Sequence, residues 1–167
     1  MTRPPRRPWS WLADNQRRAR IVLPAQSALD GFHYRRIQRR HRVVHRFVAA
    51  VHLPGYPDRT VTLEFSEENP LYANAFADGP TDSPHRFADR GRTRLCLWHY
   101  DDPEERRWVP DDGLLELFGM AAHHLFKEAW WRETGTWIGE EFPHEELGLA
   151  EDEDTPPTPT KNGSEKT

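Results

Sequence analysis

The stretch VVHRFVAAVHLPGYPDRTVTLEF, residues 43–65, sets the fold class. Its first part carries the apolar run Phe47-Val48-Ala49-Ala50-Val51, stopped by Pro54-Gly55, which predicts a strand over Val43 to Leu53. Past the turn, Val61, Leu63 and Phe65 alternate with Thr60, Thr62 and Glu64. That is the period of a half-buried strand over Arg59 to Phe65, and the pair predicts an antiparallel hairpin or meander. Upstream, Phe32 to Ile37 predicts another strand, and Trp9 to Leu23 a short helix with Ser10 as N-cap and Pro24 as stop. Downstream, residues 66–93 predict a loop, because Asn69-Pro70, Asp78-Gly79-Pro80 and Ser83-Pro84 are turn or breaker signals. A loop of that length, when ordered in a compact domain, is usually functional. It runs into Arg94-Leu95-Cys96-Leu97-Trp98, and Asp101 to Val109 follow as a second irregular stretch. Pro110-Asp111-Asp112 then opens a helix in which Leu114, Phe118, Ala121, Leu125 and Ala129 recur at helical spacing, with Gly135 as stop. Trp137-Ile138 and Phe142-Pro143 predict an extension that packs back on the domain. Helix, antiparallel strands, cysteine-bearing loop and helix, in that order, make an α+β pattern.

The chain of 167 residues suits one domain. The expected division is a basic, disordered N-terminus over 1–8, a folded domain over 9–149, and an acidic, Pro-rich disordered tail over 150–167, which has too few large apolar residues to offset the entropy of ordering. No run approaches the roughly 20 apolar residues of a membrane span. The basic start is followed by no apolar signal core, which predicts a cytoplasmic protein. With one cysteine there is no intramolecular disulfide framework and no all-cysteine zinc site.

Charge is uneven. Residues 1–46 hold twelve Arg against Asp14 and Asp30, a sum of +10, so the rest of the chain sums to -14 within a net charge of -4. Arg35, Arg36, Arg39 and Arg40 form the densest part of this region and read either as a partner-binding surface or as a solvated face balanced by the acidic half.

Cys96 reads in two ways: a buried structural thiol, or a nucleophile that carries an acyl group as a thioester. Arg92, Arg94 and His85 or His99 would lower its pKa if the fold closed them on it. No protease-like signature surrounds it. His41 and His45, and the adjacent His123-His124, lack the setting of a metal site, so neither metal nor cofactor is expected. The tryptophans read as packing rather than as a base-stacking platform. There is no Gly-rich phosphate loop or dinucleotide fingerprint.

Taken together these segments resemble the ubiquitin-conjugating enzyme superfamily. The carriers of the resemblance are Leu53-Pro54-Gly55-Tyr56-Pro57 between two strands, Leu95-Cys96-Leu97 after the long loop, Trp108-Val109-Pro110, and the helix from near Leu114, covering residues 43–128. The chain departs from the eukaryotic pattern: the Tyr-Pro turn is one residue shorter, and in place of His-Pro-Asn it has Pro84-His85-Arg86. These departures and the Arg-rich composition look more like bacterial members, which occur in antiphage defence operons of the cyclic-oligonucleotide-based signalling (CBASS) type. The resemblance implies a β-meander flanked by helices with the active-site Cys96 on a long loop. It implies that Cys96 takes the C-terminus of a cGAS-like nucleotidyltransferase or of a ubiquitin-like protein as a thioester and passes it to an amine, helped by a separate activating enzyme. His85 would assist at the oxyanion or position the acceptor, Asp101 and Asp102 would orient or deprotonate an incoming lysine, and Tyr100 and Trp108 would shape the groove. Arg35, Arg36, Arg39 and Arg40 would dock the partner. The alternatives are a non-catalytic scaffold of the same fold, a cysteine hydrolase acting on the same tails, and a basic nucleic-acid-binding protein, which the acidic remainder disfavours.

Overall fold

The structure is a computed structural model that describes residues 10–99 and 101–139. Helix α1 (Asn15–Ala28) is followed by strands β1 (His33–Arg39), β2 (Arg42–Leu53), β3 (Tyr56–Ser66) and β4 (Asn69–Ala77). A hairpin of β5 (Arg86–Asp89) and β6 (Arg92–Leu95) comes next, then 3-10 turns at Glu104–Arg106 and Pro110–Asp112, and helix α2 (Gly113–Thr134). The four long strands form one antiparallel sheet in the order β1-β2-β3-β4, and β5-β6 pair separately. Among the described residues this is a mixed α+β architecture, as the sequence predicts.

Strand alternation decides which face is covered. Phe47, Ala49, Val51 and Leu53 of β2, Val61, Leu63 and Phe65 of β3, and Ala73 and Ala75 of β4 point to one side and are buried. They pack with Leu114, Leu117, Phe118, Ala121 and Leu125 of α2 and Ile21 and Ala25 of α1 in a single core. Trp11 completes it, meeting Phe65 and Trp108 edge-on, and its indole N–H donates to the Pro70 carbonyl at 2.7 Å. On the other face, Val44 and Val48 are buried without joining this core.

Several sequence expectations shift. The first helix starts later, at Asn15, because the Asp14 carboxylate caps it by accepting from the amides of Gln16 and Arg17. It does not stop at Pro24 but runs one turn further, with Ile21 and Ala25 buried against α2. Packing there outweighs the lost amide, a cost near 3 kcal/mol in an isolated helix. Residues 66–93 are not mainly loop, since β4, β5 and the first half of β6 lie within them. Asn69-Pro70 begins β4 rather than breaking the chain, which an edge strand tolerates because proline's missing N–H has no ladder to serve there. The second helix ends as expected at Gly135, whose left-handed φ of 74° lets its amide reach the Trp131 carbonyl at 2.8 Å. The N-terminus 1–8, Phe142-Pro143 and the tail 150–167 lie outside the described residues.

Candidate active site around Cys96

Cys96 follows β6 directly. The β5–β6 register pairs Arg86 with Leu95, and the Cys96 amide extends it by donating to the His85 carbonyl at 3.3 Å. The hairpin is held at both ends by guanidinium groups. From β5, Arg86 reaches Glu128 on α2 with two nitrogens, Nη2 at 2.8 Å and Nε at 2.9 Å, and its side chain is 2% exposed. From β6, Arg92 reaches Glu64 at 3.0 Å and lies 3.7 Å over the Phe76 ring, while Arg94 donates to Asn74 at 2.8 Å. Cys96 therefore sits on a segment tied to α2 on one side and to β3 and β4 on the other.

The loop after Cys96 separates the two neighbouring acids. Asp101 is exposed and pairs with the His99 ring at 3.5 Å. Asp102 is buried; its Oδ2 accepts the His99 amide at 2.7 Å, and its amide donates to the His99 carbonyl at 3.1 Å. The other oxygen, Oδ1, is buried with no hydrogen-bond partner among the described residues. Burial pushes the Cys96 thiol pKa up, the Asp102 carboxylate pushes it further, and Arg94 opposes both without prevailing. Of the groups considered from sequence, Arg94 acts on the thiol in the expected direction but is outweighed. Arg92 is committed to Glu64 and Phe76, and at the sulfur burial and the Asp102 carboxylate together outweigh Arg94.

His85 reaches Cys96 through its backbone. Its ring is buried, tilted against Trp137 at 3.8 Å between centroids and edge-on to His124 at 6.5 Å. Trp137 does pack back on the domain as expected. Trp108 is a core residue, 3% exposed, whose indole N–H donates to the Gly113 carbonyl at 2.8 Å, so it fixes the start of α2 more than it shapes a groove. One edge of it lines a cleft of about 380 Å³ with Arg106, Asp112, Glu116 and Met120. Tyr100 lies outside the described residues.

The arginines assigned to a partner are not brought to Cys96. Arg35, Arg36 and Arg39 lie on β1, the sheet edge opposite β4, and Arg40 occupies the β1–β2 turn. The β5–β6 hairpin neighbours β4, at the other edge of the sheet, although the long side chains of Arg39 and Arg92 reach the same carboxylate, Glu64, from the two sides. His45 is no metal ligand here: its ring bridges the Tyr34 hydroxyl at 2.8 Å and Glu67 at 3.0 Å.

Sequence reading missed the acid at the centre of the α2 anchor. Glu128 is fully buried and bonds Arg86, His124 at 3.2 Å and Arg132 at 3.3 Å. Burial pushes its pKa up, yet the hydrogen bonds from His124 and Arg86 outweigh burial and hold the carboxyl at about 2. The signal was present, since position 128 continues the buried helical row of Leu117, Ala121 and Leu125.

Compared with protein-family models, with curated proteins and with solved structures, the chain matches none. No helix among the described residues is long and apolar enough to cross a membrane.

Proposed function

We propose that this chain is a ubiquitin-conjugating-like acyl carrier of a bacterial antiphage defence system. In this reading Cys96 forms a thioester with the C-terminus of a partner, a cGAS-like nucleotidyltransferase or a ubiquitin-like protein, and passes the acyl group to an amine. The observation that carries it is a half-buried thiol in the field of Asp102, a buried carboxylate with one oxygen unbonded among the described residues. The order of helix, four-stranded meander, cysteine loop and long helix supports the same reading.

Each group has a task. The partner's C-terminal acyl group, brought as a thioester on a separate activating enzyme, transfers to Cys96: the C–S bond to Cys96 forms as the C–S bond to the activating enzyme breaks, and the Cys96 proton passes to the departing thiolate. A thiol of raised pKa is a slow spontaneous nucleophile and also a poorer leaving group, so the thioester resists casual loss of its acyl group. Asp102 Oδ1 is closed off from solvent in this structure, so the loop after Cys96 must open for it to accept a hydrogen from the incoming amine and take a proton as the C–N bond forms and the C–S bond breaks. Asp101, exposed and paired with His99, plays a minor part. His85 acts through its carbonyl, which fixes the Cys96 amide, and this replaces the oxyanion role expected of its ring.

The test is intact mass under non-reducing conditions, on wild type and Cys96→Ala purified from cells expressing the neighbouring genes. The expected result is a partner-sized adduct on wild type, absent from Cys96→Ala and released by hydroxylamine. If both forms co-purify with the same partner and carry no adduct, the reading fails in favour of a non-catalytic scaffold, which the raised thiol pKa favours.

A further inference from the structure

The outer face of β1 and β2 concentrates positive charge at some cost to the fold. The register sets Arg35 opposite Arg46 and Arg39 opposite Arg42. Like charges directly opposite in adjacent strands destabilise a sheet. Arg40, in the turn that joins them, sits at φ 44°, a left-handed conformation that disfavours a residue with a Cβ. One carboxylate answers this group: Glu64 takes Arg46 at 2.7 Å, Arg92 at 3.0 Å and Arg39 at 3.9 Å. Arg35, Arg40 and Arg42 have no acidic partner among the described residues. Guarding an edge against aggregation takes one or two charges, not facing pairs of them.

The same strand is a sheet edge. No described strand lies beyond β1, and His33, Arg35, Arg36, Gln38 and Arg39 are exposed along it. Its outward amides and carbonyls are a template for one more strand. Arg35 and Arg39 share the outer face with Ile37 between them, so the side chains that suit an added strand are acid, apolar and acid at alternate positions.

We infer that the β1 edge takes up an extended acidic segment of a partner protein by strand addition, with carboxylates opposite Arg35 and Arg39 and an apolar residue opposite Ile37. A peptide is favoured over nucleic acid because an open strand edge offers hydrogen bonds that only another peptide backbone completes. The inference deepens the proposed function by naming the chemistry of the partner-binding edge, and it is independent of thioester formation at Cys96.

The experiment uses the full-length chain carrying Cys96→Ala, labelled for amide NMR, at 0.1 M salt. The first probe is a capped peptide with the core Thr-Glu-Thr-Val-Thr-Glu-Thr. The second has the same charge with proline in place of the inner threonines, and the third is a single-stranded decathymidylate. The expected result is that the first peptide shifts the amides of residues 33–39 and slows their exchange. The proline peptide should bind about tenfold more weakly, since it cannot complete the ladder. R35E/R39E should weaken the first peptide by about tenfold or more, and R35Q/R39Q by less. Equal binding of the proline peptide, tighter binding of the oligonucleotide, shifts confined to residues outside β1, or no binding at all would each overturn the inference. Because the thiol is absent throughout, failure here is distinct from failure to find an adduct at Cys96.

Discussion

Glu64 and Glu128 are both buried carboxylates that gather guanidinium groups, yet they sit in different solvents. Glu128 is fully buried and its main partner, Arg86, is nearly so. Glu64 is 6% exposed at its side chain, but Arg39, Arg46 and Arg92 reach it from the surface at 41%, 29% and 42% exposure. The first cluster is an internal bolt between β5 and α2. The second is a surface cap over the outer face of the sheet. Water and salt reach one and not the other, so similar chemistry has different consequences for stability.

The sharpest way to break the comparison is to remove each acid. Glu128→Ala should cost about 3–5 kcal/mol in urea unfolding, because it strands a buried guanidinium. Replacing the pair together, as R86M/E128L, should recover most of that loss. Acid gives the next effect. The Glu128 carboxyl is depressed from 4.5 to about 2, so its stabilisation is complete above the unfolded value and is lost as pH falls from about 4.5 toward 2. Linkage over that interval amounts to about 3 kcal/mol, checked by unfolding across a pH series at fixed ionic strength. Glu64→Ala should cost about 1–2 kcal/mol, and 0.5 M salt should shrink that difference while leaving the Glu128 difference largely intact.

Asp102 sharpens the contrast as a buried carboxylate with one oxygen unbonded among the described residues. Asp102→Asn should lower the Cys96 thiol pKa, by removing a negative charge that raises it, and so speed iodoacetamide alkylation near neutral pH. The same variant should slow transfer to an amine if Asp102 receives the proton. The smallest effect has the opposite sign to most substitutions. Arg35→Glu should stabilise the sheet by a few tenths of a kcal/mol, since it replaces a like-charged pair with Arg46 by an attractive one.

The central strands and α2 were legible because large apolar residues mark their period: Phe47, Val51, Val61, Leu63 and Phe65 in the sheet, Leu114, Phe118 and Leu125 on the helix. Strand β4 was not, because its core-facing positions are Ala73 and Ala75, too small to stand out, its large buried residue, Phe76, faces the other side, and it opens with Asn69-Pro70. Helix α1 was misplaced because Ser10 and Asp14 are both acceptable caps in sequence, and only the hydrogen bonds choose between them. Cys96 stood out as the one thiol. Which of Asp101 and Asp102 faces inward was invisible, since a loop without regular period assigns no face. Arg86 and Glu128 are 42 residues apart, and no local pattern announces that they meet.

The Arg86–Glu128 bond also constrains how this chain can change over generations. Each residue alone is needed by the other, so a line losing either one first passes through a poorly folded intermediate. Losing both together is nearly harmless, but it requires two rare events at once. The pair is therefore entrenched by the order in which substitutions arrive, whether or not it adds net stability, and the tether of the Cys96 segment to α2 inherits that persistence.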